Sequence, residues 1–119
     1  MQDLEQLKDN QEYKLTRLMI NGVVRAVASN CINSGYKVYL EEAPRDSMTT
    51  NLKVFTGKGV QDYIRFGVFH FPSTNTVDFM WTHYTQGKRQ RVVDKENIDV
   101  DNLYDLLIQS INEVIPCQQ

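Results

Sequence analysis

Three short polar turns cut the segment from Asn51 to Lys95: GKG at 57–59, PSTN at 72–75 and QG at 86–87. Turns this short join antiparallel neighbours, because a parallel crossover needs about a dozen residues or more. The runs between them alternate apolar and polar side chains, the period of a strand. With KVYLEE (37–42) in front, the strand candidates are NLKVFT (51–56), DYIRFGVFHF (62–71), TVDFMWTHYT (76–85) and KRQRVVDK (88–95). Joined by such turns, they predict a meander in the order 1-2-3-4-5.

Helical patterns flank this block. DNQE (9–12) reads as a capping box with Asp9 as N-cap, and Leu4 and Leu7 fit an earlier turn. Asn33-Ser34-Gly35 marks the end, glycine serving as a left-handed cap. Between these signals Lys14, Arg17, Asn21, Arg25 and Ser29 form one narrow polar stripe. The remaining apolar arc is roughly 200° wide, more than one packing surface requires. One side of it packs on the sheet; the rest calls for the other helix or another subunit. A second helix starts near Asp99 or Asp101, where carboxylates suit a helix N-terminus, and stops at Pro116. Leu103, Leu106, Leu107, Ile111 and Val114 share its apolar face, widened by Tyr104, Ile108 and Ile115. The predicted fold is α+β, one domain over residues 1–119, with N-terminal and C-terminal helices packed on one face of a five-stranded antiparallel meander.

Turn lengths also predict register. PSTN pairs Phe71 with Thr76, hence Phe66 with Trp81 and Ile64 with His83, an apolar row beneath the helices. A three-residue GKG loop places Leu52 opposite Ile64 and Val54 opposite Asp62. A two-residue QG turn places Trp81 opposite Val92 and His83 opposite Gln90. The outer face then reads Lys53, Tyr63, Tyr84, Arg89 in one row and Arg65, Thr82, Arg91 in the next. Beyond them come Gly67, Met80, Val93, then Phe69, Asp78, Lys95, with Phe55 at one end. The candidate binding face is therefore Lys53, Tyr63, Arg65, Tyr84, Arg89 and Arg91.

Other signals point away from chemistry. His70 and His83 fall at opposite ends of the core face, about 20 Å apart along paired strands, too far to share a metal. No metal site, catalytic residue or cofactor is expected. GKG lacks the spacing and the following helix of a phosphate loop. Glu41 and Glu42, as neighbours in a strand, point to opposite faces. Asp99 and Asp101 lack the rest of a calcium loop. Cys31 lies on the apolar arc of the first helix, while Cys117 is expected at the surface; neither belongs to a ligand motif or a disulfide framework. The N-terminus is polar and acidic, without the apolar segment of a signal peptide, and no run approaches membrane length. A cytoplasmic protein without membrane contact is expected.

The net charge is −2 and the sequence pI about 5.6, so the global field does not attract nucleic acid. The leading expectation is a small non-enzymatic binding or interaction protein. It is expected to associate with itself or with a protein partner, through the outer sheet face or a groove beside the first helix. Two other readings stay open. The outer face combines cations with rings, as single-stranded nucleic-acid binders do. A small-molecule carrier or small enzyme would use a pocket near His83 and Trp81.

Overall fold

The computed structural model describes residues 4–42, 49–57 and 59–115, with side chains from residue 11 onward. The elements run α1 (Leu4–Asn33), β1 (Val38–Glu41), β2 (Thr49–Phe55), β3 (Tyr63–Phe71), β4 (Thr76–Thr85), β5 (Lys88–Ile98), a 3-10 turn (Val100–Asn102) and α2 (Leu103–Val114). The strands form one antiparallel sheet in the order β1-β2-β3-β4-β5, the predicted meander.

Helix α1 begins at Leu4, not at Asp9. Good helix formers fill this stretch and no glycine or proline interrupts it before Gly22, so the helix continues through Asp9, which is an interior residue and not the N-cap. The C-terminal signal holds. Gly35 takes φ 94°. Its N–H donates to Ile32 O, and Tyr36 N–H reaches back to Cys31 O, each at 2.9 Å. These are the two bonds of a Schellman cap. At the other helix, Asp99 caps the 3-10 turn by accepting from Asp101 N at 3.0 Å. Pro116, Cys117 and most of the polar loop after Glu42 lie outside the described residues.

The core lies between the helices and one face of the sheet. Ile20, Val24 and Val27 from α1 meet Leu52, Val54, Ile64, Phe66, Phe79 and Trp81 from the strands and Leu103 and Leu107 from α2, all at most 1% exposed. The two helices are also tied directly, Asn30 Nδ2 donating to Tyr104 Oη at 2.6 Å. Ser110, buried in the apolar face of α2, satisfies its hydroxyl on Leu106 O at 2.7 Å.

Register separates the correct expectations from the incorrect ones. The β3–β4 pairing is as predicted, from Phe71↔Thr76 through Phe66↔Trp81 to Ile64↔His83. The β2–β3 pairing is not: Leu52 faces Phe66 and Val54 faces Ile64. Asp62 explains the difference. Its backbone O accepts from Thr56 N, while its carboxylate accepts from Gln86 N at 2.7 Å in the β4–β5 turn. Asp62 therefore closes a loop instead of extending the strand. The error is two residues, so every side chain keeps its face.

The β4–β5 pairing departs further. Thr85↔Lys88 and Tyr84↔Arg89 form as expected, but the next partner of His83 is Arg91, and Trp81 faces Val93, not Val92. Gln90 is the extra residue of a β-bulge, which reverses the alternation from Arg91 to Lys95, until a second irregularity brings Ile98 opposite Val77. Val93 and Lys95, expected outside, are brought opposite Trp81 and Phe79 on the helix side; Val92 and Asp94 take the outer face opposite Thr82 and Met80.

Candidate functional site

Pairing across the sheet builds the outer face row by row. Phe55, Tyr63, Tyr84 and Arg89 form one row, and Lys53, Arg65, Thr82 and Val92 the next. Asn51, Gly67, Met80 and Asp94 follow, then Thr49, Phe69 and Asp78. Five of the six predicted site residues therefore share this face: Lys53, Tyr63, Arg65, Tyr84 and Arg89. Lys53 sits beside Arg65 where Tyr63 was expected, the result of the two-residue shift.

Arg91 is the exception. The bulge turns it to the helix side, where its guanidinium carbon stands 5.2 Å from the centre of the Trp81 ring. Its Nη2 pairs with Glu113 Oε1 of α2 at 3.1 Å. Arg91 thus covers the edge of the core, and it does not belong to the candidate binding face.

The rings of the outer face contact one another. Tyr63 and Tyr84 stack with centroids 4.7 Å apart, and Phe55 meets Tyr63 edge-on at 6.1 Å. Lys53 Nζ lies 4.6 Å from the Tyr63 centroid. Such pairs hold side chains in place by quadrupole and cation–π attraction. Below this cluster the face dips. Gly67 has no side chain, and a Cβ there would come within 3.3 Å of the Phe69 ring. The resulting concavity, about 430 Å³, is lined by Thr49, Asn51, Arg65, Gly67, Phe69, Met80, Thr82, Tyr84, Arg89 and Val92. Arg65 and Arg89 are exposed and form no ion pair among the described residues. The carboxylates of this face, Glu41, Asp78 and Asp94, belong to the rows beyond, so the face is cationic at one end and acidic at the other. No carboxylate, imidazole or thiol lines the concavity.

Gly67, Phe69, Met80 and Val92 were not among the predicted site residues. A glycine amid strand formers was the available signal, since it marks a place where something approaches the backbone closely.

The histidines stand apart. His70 pairs with Val77 near one end of β3, and His83 with Ile64 near the other. His70, expected at the rim of the core, is only 3% exposed. His83 is half-buried, with Thr85 Oγ1 at 3.5 Å from its Nε2. Trp81 beside it is 1% exposed. Cys31 is a buried free thiol, and burial raises its pKa. Arg25 holds Glu42 in a two-bond ion pair, which lowers the pKa of the carboxyl through hydrogen bonding to its charged form. Among the described residues no three His, Cys, Asp or Glu side chains gather as metal ligands, and no helix is long and apolar enough to cross a membrane.

The chain matches no protein family model, no characterised protein and no solved structure.

Proposed function

We propose that this chain is a non-enzymatic, self-associating interaction protein that holds an acidic, partly apolar peptide segment of a partner protein on the outer face of its sheet. The observation that carries the reading is the concavity over Gly67, where Arg65 and Arg89 border an apolar floor of Phe69, Met80 and Val92. Guanidinium groups without an acidic partner favour carboxylates, for which their fork geometry is suited. Apolar side chains of the segment would fill the floor, and the Tyr63–Tyr84 stack would wall one end. The lining hydroxyls of Thr49, Thr82 and Tyr84 have no carboxylate, imidazole or thiol beside them in the concavity to activate them, which favours recognition over catalysis. A free buried thiol at Cys31 fits a reducing, cytoplasmic setting.

Nucleic acid fits this face less well. The tyrosine rings already engage each other and Lys53, leaving less ring surface for bases, and Arg91 has left the face. The test is fluorescence anisotropy with a short labelled peptide alternating Glu with Leu and Phe, beside a single-stranded oligonucleotide of equal charge. The peptide is expected to bind with an affinity that falls as salt rises, and Arg65→Ala/Arg89→Ala to weaken it about tenfold or more. Tighter binding of the oligonucleotide, or peptide affinity unchanged in that variant, would overturn the reading.

A further inference from the structure

The apolar surplus of α1 is not absorbed by α2. Ile20, Val24 and Val27 pack into the core, yet on the opposite side Leu15 is 62% exposed, Leu18 68% and Met19 44%. The same side carries Gly22, with no atom within 4 Å of a Cβ placed there, and exposed Ala26 and Ser29. Nothing among the described residues accounts for this glycine, in a helix interior where glycine is the least favourable residue after proline.

We infer that this face of α1 packs against the same face of a second copy, antiparallel, about a two-fold axis at Gly22. This goes beyond the peptide-binding reading and rests only on its claim of self-association. The spacing selects the occupant. Large side chains fill the N-terminal half of the stripe (Leu15, Leu18) and small ones the C-terminal half (Ala26, Ser29). Antiparallel pairing centred on Gly22 sets Leu15 against Ser29 and Leu18 against Ala26 of the partner, bulk into space, twice by symmetry. The same operation brings exposed Gln11 opposite Asn33 at both ends. The same operation sets exposed Met19 against Arg25 of the other copy, so each guanidinium meets a thioether and no like charges are opposed. A parallel pair would oppose bulk to bulk and space to space. The stripe is about 33 Å long and at most 10–12 Å wide, about 330–400 Å² per copy and under about 800 Å² in total, below what a stable dimer needs and in keeping only with a weak, reversible association.

Sedimentation equilibrium from micromolar to near-millimolar concentration tests the dimer. We expect a monomer–dimer equilibrium that Leu18→Glu shifts at least tenfold toward monomer, with circular dichroism unchanged, and thermal midpoint unchanged at concentrations where both proteins are monomeric, because Leu18 is exposed. A monomer throughout, or a dimer indifferent to Leu18→Glu, would overturn the inference. Orientation is tested by oxidative cross-linking in a Cys117→Ser background. Gly22→Cys should cross-link two copies and Leu15→Cys should not; the reverse result would contradict the antiparallel geometry. The two proposals fail separately: Leu18→Glu should retain peptide binding, and Arg65→Ala/Arg89→Ala should retain the dimer.

Discussion

His70 is the most constrained polar side chain in the core. Its ring stacks on Tyr13 of α1, centroids 3.9 Å apart and planes 16° from parallel. Nε2 lies 2.7 Å from Asn75 Oδ1, at the tip of the β3–β4 hairpin where Asn75 takes φ 52°. Asn75 in turn donates from Nδ2 to Thr16 Oγ1 at 3.3 Å. An amide oxygen only accepts, so Nε2 carries the imidazole proton and Nδ1 is bare, buried and without a partner among the described residues. Protonating Nδ1 would bury a charge with no acceptor. Burial accordingly lowers the His70 pKa below its ordinary 6.5; Arg17, on the facing side of α1, pushes the same way, and the Asn75 bond opposes them. The folded state thus binds fewer protons than the unfolded chain. The stability contributed by His70 is complete above about pH 6.5 and declines as pH falls through that value toward the lower folded one. Chemical denaturation between pH 8 and 4.5 should show this decline, and His70→Phe should flatten it. The variant also leaves Asn75 short of one bond, at a cost of about 1–3 kcal/mol at neutral pH. An unchanged pH profile in His70→Phe would place the sensitivity elsewhere.

At the scale of the element, β5 shows what a pattern-based reading can and cannot reach. The β3–β4 register followed from PSTN because it lines up one apolar row, Phe66 and Val68 against Trp81 and Phe79, and a slip would have buried Arg65 and Asp78. The Gln90 bulge had no such signature. Residues 88–92, Lys-Arg-Gln-Arg-Val, lack the alternation that would fix which side each takes, so strict period two was the only rule available and it failed at Arg91. The GKG loop failed differently. Asp62 looked like a strand residue and acts as a turn cap, a role set by Gln86, which is distant in sequence and adjacent in space. Faces survived that error because it was even; they did not survive the bulge because it was odd. The consequence is measurable, since Arg89 and Arg91 now have opposite duties. Arg91→Ala should cost about 1–2 kcal/mol, from lost cation–π contact with a buried ring and a half-exposed ion pair, and leave peptide binding intact. Arg89→Ala should weaken binding and leave stability within about 0.5 kcal/mol. Urea denaturation and anisotropy on both variants check the pair; equal effects would mean the bulge does not separate them.

For the whole molecule, the two-layer arrangement leaves two surfaces with different chemistry. The helix layer presents exposed Leu15, Leu18 and Met19 beside small Gly22 and Ala26, and the sheet layer a cationic concavity that opens on the other side. Dimerisation through α1 would leave both concavities free, because α1 lies across the core from the outer face. A dimer would then carry two peptide sites facing away from each other, and a partner with two acidic segments would gain avidity from engaging both, provided its linker spans the distance. The central claim is that the outer sheet face, and not the helix side with His83, Trp81 and Arg91, receives the ligand. Nitrogen-15 amide NMR during titration with the acidic-apolar peptide tests it most directly. Saturable shifts are expected at Arg65, Gly67, Phe69, Met80, Tyr84 and Arg89, with the Trp81 indole N–H and the amides of α1 and α2 unmoved. Shifts centred on Trp81, His83 and α2, with the outer face silent, would contradict it.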